Sequence, residues 1–174
     1  SVQGALMADA HLTWRPMTEA DIDGVVTVAR QSFPDHFESR ACFENRLAIC
    51  PAMSFVLADA DDAVRGYLFA YPWKGETAPP LNTLIEAIPA DADRIYLHDL
   101  ALNPEARGGG HTRAIVERLV DQARTEGWTT MSLVAVNDAT AFWQRMGFQP
   151  VTSPALAEKL ASYGDDARYM VRTI

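Results

Sequence analysis

The chain has 174 residues, enough for one domain with one sizeable hydrophobic core. Its formal net charge of −8 argues against nucleic acid as a main partner, because phosphate binding requires a clustered basic surface. No apolar run approaches the roughly 18 residues of a membrane span, and Cys42 and Cys50 have the spacing of neither a zinc site nor a disulfide framework. The composition therefore predicts a globular protein without nucleic-acid, membrane or metal partners.

The first residues predict a processing remnant. Residues 1–6, SVQGAL, are interpreted as the remainder of an expression tag, with Met7 as the native start. We therefore expect a single domain over residues 7–174. Nothing before this domain resembles a secretion signal, so the cytoplasm is the expected location.

Hydrophobic periodicity next predicts a strand and two helices. Residues 11–17, HLTWRPM, alternate apolar and polar side chains as a half-buried strand does. Thr18 is a suitable N-cap for the first helix, which the Phe33-Pro34 pair ends. The second helix is expected over residues 38–49.

A hairpin, a long loop and a strongly patterned strand follow. Residues 54–73 predict two strands joined by the turn DADD, whose aspartates favour turns. Residues 74–93 hold three prolines and weak periodicity, which predicts a long loop with room for a short helix at 81–87. RIYLHDLAL, residues 94–102, is typical of a strand.

The remaining chain alternates helices and strands. Residues 114–127 form an amphipathic helix that Gly127 ends. Asn137 or Asp138 is expected to cap the next helix, and Gly147 to end it in a Schellman motif. Strands are expected over 129–136, 148–151 and 167–174, with a helical stretch near 155–164.

Residues 106–112, ARGGGHT, place three consecutive glycines between a strand that ends at Leu102 and a helix that starts near Gly110. Backbone N–H groups at a helix N-terminus bind anions, and glycine lets a phosphate come close. Arg107 and His111 can add charge at the rim. Neither the dinucleotide-binding nor the P-loop motif fits, so the turn predicts another kind of phosphate site.

The stretch LALNPEARGGGHT, residues 100–112, resembles the signature of the GCN5-related N-acetyltransferase family, in which this turn holds the pyrophosphate of acetyl-CoA. Arg107, Gly108 and Gly110 match the signature, whereas Thr112 stands where Gly or Ala is usual. NDATAFWQRMGFQPV resembles the family's second marker, N-x-x-A-x-x-F-Y-x-x-x-G-F, and the order of elements agrees over nearly the whole chain.

The resemblance implies an α/β fold of the α+β kind: a mixed, mostly antiparallel sheet of six to seven strands, about four flanking helices and a splayed pair of central strands. It implies acetyl-CoA as cosubstrate, with no metal, its pantetheine arm pairing with the signature strand like an added strand. The Leu100 N–H is expected to face the thioester oxygen. The implied cofactor residues are Leu100, Ala101, Leu102, Arg107, Gly108, Gly109, Gly110, His111, Thr112, Asn137 and Trp143.

A catalytic base is expected on the same strand. Alternation puts Tyr96, His98, Leu100 and Leu102 on one face. Histidine titrates near neutral pH, so His98, with Tyr96 beside it, is predicted to remove the proton from a substrate ammonium; a hydrogen-bonded core histidine is the alternative. The pattern H-x-LAL resembles the arylalkylamine branch of the family, where histidines on this strand are bases. Asp99 would act as the base only if a β-bulge turned its side chain inward.

The acid that protonates the leaving thiolate is harder to place. The family often uses a tyrosine where this chain has Trp143, whose indole N–H donates a hydrogen bond but no usable proton. The thiolate could leave unassisted, Tyr96 or Tyr169 could supply the proton, or catalysis could be slow or lost.

The acceptor site is expected between the first two helices and the 74–93 loop. Aromatic residues there, with Glu76 or Glu86, suit an apolar or aromatic amine, although ordinary packing is the alternative. The sequence thus predicts acetyl transfer to the primary amine of a small molecule; a protein or peptide acetyltransferase and a non-catalytic acyl-CoA-binding module are the alternatives, and a homodimer is compatible with either. The predicted substrate residues are Phe33, Phe37, Tyr71, Trp73 and Asp99, with His36 beside them.

Overall fold

The computed structural model describes residues 11–35, 38–152 and 154–174. The predicted tag remnant at 1–6, the start at Met7 and the predicted acceptor residues His36 and Phe37 lie outside the described residues, and the predicted domain boundaries stay predictions.

Seven strands form one sheet in the order β1-β2-β3-β4-β5-β7-β6. The strands are β1 Thr13–Pro16, β2 Ser54–Ala58, β3 Val64–Trp73, β4 Arg94–Leu102, β5 Thr130–Ala135, β6 Gln149–Pro150 and β7 Arg168–Thr173. The described helices are α1 Ile22–Ser32, α2 Arg40–Ile49, α3 His111–Thr125, α4 Thr140–Arg145 and α5 Pro154–Lys159. The predicted mixed sheet of six to seven strands is confirmed, with five α-helices instead of about four.

The central strands β4 and β5 are parallel and separate after a short contact. Their pairing covers Ile95 with Met131, Tyr96 with Ser132 and Leu97 with Leu133. The other strand pairs are antiparallel. The expected splay of the two central strands is therefore confirmed, and it begins after Leu97.

Helices cover both faces of the sheet because their apolar stripes require it. The stripe of α3 packs with Leu68, Leu97 and Leu133 on one face, whereas α1 and α2 pack with Tyr67 and Phe69 on the other. The buried residues of the α3 stripe are Ile115, Val116, Leu119, Val120 and Ala123, as its 3.6-residue period predicts.

A β-bulge in β4 changes which side chains share a face. Phe69 of β3 pairs with Asp99 but Ala70 pairs with Leu97, so His98 is an extra residue opposite the partner strand. Because of this bulge, Leu100 packs with the α3 face, while the ring of His98 contacts Tyr96 and Tyr71 on the other. The prediction that His98 and Leu100 share a face is wrong for this reason.

Two local predictions are also wrong. Residues 81–87 form no helix, because Asn45 on α2 bonds both backbone groups of Ile85, at 2.8 and 2.9 Å, which a helix would pair within itself. Asn137 and Asp138 do not cap α4; both have left-handed backbone angles, with φ of 52° and 63°, and the helix begins after Ala139.

None of the helices in the described part of the chain is both long and apolar enough to cross a membrane.

Candidate active site

A cavity of about 600 Å³ opens where β4 and β5 separate. Its walls include residues 97–102 of β4 on one side and Leu133, Val134 and Val136 at β5 on the other. Since pairing between the strands stops at Leu97 and Leu133, the β4 edge beyond Leu97 faces the cavity instead of β5. A cleft of this kind can take an extended ligand as an additional strand.

The glycine turn lies between two residues that line one end of the cavity, Arg107 and Thr112. Gly108 and Gly110 have φ of +86° and +80°, and a Cβ on either would meet nothing within 4 Å, so the turn presents bare backbone to open space. Gly110 precedes α3, whose first N–H groups have no acceptor within the helix. These donors and the helix dipole favour an anion. Arg107 and Thr112 line the cavity beside them.

Five of the other predicted cofactor residues line the same cleft, whereas Gly109 and His111 do not. Leu100, Ala101, Leu102, Asn137 and Trp143 all line the cavity. Gly109 lies between the two left-handed glycines. Nε2 of His111 is buried with no hydrogen-bond partner among the described residues, and the His111 carbonyl accepts a hydrogen bond from Trp14 Nε1 at 2.9 Å. The residues present therefore fit a pyrophosphate with a pantetheine arm.

A hydrogen-bonded histidine lies at the opposite end. His98 Nε2 is 2.8 Å from Oε1 of Glu38, and Nδ1 is 3.2 Å from the Tyr71 hydroxyl. The side chain of His98 is only 2% exposed, and that of Glu38 only 5%. An ionised carboxylate only accepts hydrogen bonds, so Nε2 carries a proton; in the neutral ring Nδ1 then accepts the Tyr71 O–H. Both ring nitrogens thus have protein partners.

Asp99 lines the cavity beside His98 because of the bulge. The Tyr67 hydroxyl donates to Asp99 Oδ2 at 2.6 Å. Burial raises the pKa of Asp99 from 3.8 to about 6, and the charge of Glu38 adds to the rise, whereas His98 and the Tyr67 hydrogen bond oppose it. A carboxyl group with this pKa can accept a proton near neutral pH.

Glu38 is held ionised by its surroundings. Burial by itself would raise the pKa of Glu38, but its interactions with His98, the charge of Arg46 and the Asn82 N–H together lower it. Nη2 of Arg46 lies 3.9 Å from Glu38 Oε2, and the Asn82 N–H donates to the same oxygen at 3.2 Å. This end of the cavity, which the sequence predicts to bind the acceptor and which we call the acceptor end, therefore has two carboxylates in its lining, Glu38 and Asp99.

The structure separates the predicted acceptor residues into two groups. Phe33 and Asp99 line the cavity, beside the predicted base His98. Tyr71 and Tyr96 are fully buried behind His98, and Trp73 lines a different cavity beside the 79–89 stretch of the loop. Tyr96 and Tyr71 can therefore support His98 without presenting a surface to a ligand.

Sequence reasoning missed Glu38, Leu81 and Tyr163, which also line this end. Glu38 directly precedes Ser39, the N-cap of α2, a position that gives no signal of function. The Tyr163 hydroxyl donates to the Pro79 carbonyl at 2.5 Å, and burial raises the pKa of Tyr163 to about 12. Nothing local in the sequence links the last helical segment with the 74–93 loop.

Trp143 lines the cavity. It is 9% exposed and packs edge-on against Phe142 and Phe148. Tyr169, considered as a substitute acid, is directed elsewhere: its hydroxyl bonds Arg94 and the Gly75 carbonyl. Among the described residues, no three His, Cys, Asp or Glu side chains lie close enough to hold a metal ion.

Comparison with known proteins agrees with this geometry. The model of the Acetyltransferase (GNAT) family matches residues 19–148. N-acetyltransferase family 8 member 2 of Rattus norvegicus is 29% identical over 102 residues, 53% of this chain and 45% of that protein. An amino-acid acetyltransferase of Pseudomonas fluorescens is 32% identical over 88 residues, 49% of this chain and 20% of that protein. The chain thus spans less than half the length of these curated relatives.

The fold itself is similar to that of solved acetyltransferases. The structure of the NatC complex bound to Gag peptide and CoA contains a chain that aligns with a TM-score of 0.69 at 16% identity. The alignment covers 94% of this chain and 99% of that one. At this identity the likeness concerns the fold.

Proposed function

This chain belongs to the Acetyltransferase (GNAT) family, and from that premise we propose that it transfers an acetyl group from acetyl-CoA to the primary amine of a small molecule. The amine nitrogen attacks the thioester carbon directly. A carbon–nitrogen bond forms, the carbon–sulfur bond breaks, and coenzyme A leaves as a thiolate, a tolerable leaving group because a thiol pKa is ordinarily about 8.5. One ammonium proton leaves before the attack, and the second, lost from nitrogen as the amide forms, protonates the thiolate. Trp143 therefore does not prevent turnover.

One observation carries the proposal: the residues on either side of the glycine turn, Arg107 and Thr112, line one end of a cavity whose other end is lined by the carboxylates Glu38 and Asp99. The donors of residues 108–112 would hold the pyrophosphate, and the unpaired β4 edge would hold the pantetheine arm. The Leu100 N–H is proposed to polarise the thioester oxygen. Glu38 and Asp99 would bind a positively charged ammonium group.

Asp99 is the group best placed to accept the proton of that ammonium. It lines the cavity, and its pKa of about 6 lets it remain ionised yet basic near neutral pH. His98, the sequence-predicted base, has both nitrogens occupied by Glu38 and Tyr71. In this proposal His98 and Tyr96 position Glu38 and the β4 bulge, and the proton moves to Asp99.

The loop over the acceptor end favours a small molecule over a peptide. Leu81 lines the cavity, Asn82 bonds Glu38, and Pro79 is tied to Tyr163. Asn82 Oδ1 also accepts the Ser39 N–H at 2.9 Å. These bonds hold the loop across the end of the cavity, where an extended chain would have to pass.

Release of thiol from acetyl-CoA, measured with a panel of primary amines and short peptides, tests the proposal. We expect thiol release that depends on the amine, with small amines used better than peptides. Faster use of peptides would favour the peptide alternative. A higher melting temperature with acetyl-CoA, without amine-dependent thiol release, would show a binding module instead of an enzyme. A homodimer and a cytoplasmic location stay predictions.

A further inference from the structure

We infer that the acceptor carries no carboxylate beside its amino group, so that free amino acids are excluded and amines of the same shape without the carboxylate are used. The inference rests on the proposed amine acetylation. It concerns the charge of the acceptor and not the shape of its apolar part.

The charges that line the cavity are divided between its two ends. Glu38 and Asp99 line the acceptor end, and Arg107 is the one lysine or arginine among the described lining residues. Arg107 lies beyond the end of β4, where its Nε donates to the Leu102 carbonyl at 3.2 Å. From Asp99 to Leu102 the strand advances about 10 Å, so Arg107 belongs to the cofactor end.

Arg46 is the arginine nearest the acceptor end, but it lies behind Glu38. Its side chain is 1% exposed and does not line the cavity. Nη1 donates to the Thr83 carbonyl at 2.7 Å and to Asn45 Oδ1 at 2.6 Å. Its Nε and Nη2 have no hydrogen-bond partner within the described residues, but both atoms are buried and so out of reach of a ligand in the cavity.

A carboxylate beside the amino group would therefore be placed among like charges. An ammonium bound near Asp99 holds any group on its α-carbon within a few bonds of the same carboxylates. Repulsion between like charges is strong in a partly buried cavity and screened little by salt. Four other residues in the cavity lining, Ser32, Phe33, Leu81 and Tyr163, have uncharged side chains that cannot offset this repulsion.

The test compares acceptors that differ only in the carboxylate. We would measure kcat/KM at pH 7 for phenethylamine against phenylalanine and for 3-methylbutylamine against leucine, with phenylalaninamide as the uncharged analogue. We expect each amine to exceed its amino acid by at least about tenfold, since like-charge contacts cost more than 1.4 kcal/mol. The kcat/KM for phenylalaninamide is expected to be close to that for the amines. Equal or better use of the amino acids would overturn the inference.

Failure of the proposed function gives a different result. If no acceptor is acetylated, calorimetric titration of each pair into the CoA-bound protein still decides the inference: amines should bind more tightly than their amino acids, and equal affinities would contradict it. If peptides are the best acceptors while amino acids are rejected, the small-molecule proposal fails and the charge inference stands.

A gain-of-charge variant sharpens the test. Ser32 lines the cavity at the end of α1 and belongs to no proposed catalytic contact. Ser32→Arg adds a cation, and Ser32→Gln adds similar polarity without charge. We expect Ser32→Arg to reduce the preference for phenethylamine over phenylalanine several-fold relative to Ser32→Gln. An identical preference in both variants would contradict a charge-based exclusion.

Discussion

The two ends of the cavity are built in different ways. The proposed cofactor end is made of consecutive backbone: a glycine turn and the first turn of α3, residues 107–112. The acceptor end is made of side chains from distant parts of the chain, such as Glu38 before α2 and His98 on β4, 60 residues apart. A binding site made of consecutive backbone can thus be identified from a short sequence motif, whereas a site made of distant side chains depends on the whole fold.

The largest expected effect concerns the acceptor end. Asp99→Asn removes the proposed proton acceptor while it keeps the shape and the Tyr67 contact. We expect kcat/KM to fall by about a hundredfold or more, because general-base catalysis typically contributes about 10²–10⁴, while affinity for CoA stays unchanged. Glu105→Gln, on an exposed carboxyl outside this cavity, is the control. A loss below threefold would remove Asp99 from the chemistry.

The cofactor end is tested by a matched pair of glycines. Gly110 precedes α3 and Gly127 follows it; both have positive φ, +80° and +92°, and open space where a Cβ would lie. Alanine at either position strains the backbone by about 1 kcal/mol. Only Gly110→Ala places a methyl group at the anion site, so we expect its Kd for CoA to rise about tenfold, with Gly127→Ala near wild type. Equal Kd values for the two variants would place the phosphates elsewhere.

A smaller effect is expected at His98. His98→Gln keeps a donor for Glu38 and should lower kcat/KM only several-fold, because the variant disturbs the position of Glu38 and not the proton transfer itself. The measurement compares kcat/KM of His98→Gln with kcat/KM of Asp99→Asn for the same amine. If His98→Gln lost more activity than Asp99→Asn, His98 would be the base, as the sequence alone suggested.

The smallest expected effect concerns stability. The pKa of Asp99 is about 6 in the folded protein against 3.8 ordinarily, so the folded protein binds this proton more tightly than the unfolded chain does. Ionised Asp99 therefore costs folding free energy; the cost is absent below about pH 3.8 and complete above about pH 6. Asp99→Asn should not lower Tm at pH 8. A marked drop would show that the carboxylate stabilises the fold.

The sequence predicted most of the fold and the cofactor end, because periodicity and glycine signals are local. The stripe of α3, the hairpin with its DADD turn and the splayed strands are examples. The 81–87 helix failed because tertiary contacts from Asn45 outweigh local preference. The face assignment along β4 failed because a bulge, which strand alternation does not indicate, adds one residue at His98.

The central claim is that the acceptor end binds an ammonium group and that Asp99 takes its proton. The pH dependence of kcat/KM for a simple primary amine tests this most directly, because it reports the ionisation of free enzyme and free amine. The account predicts a rise with an apparent pKa near 6, then a plateau until the amine itself loses its proton. A rate that keeps climbing tenfold per pH unit up to the pKa of the amine would contradict it, since the enzyme would then be binding only the neutral amine.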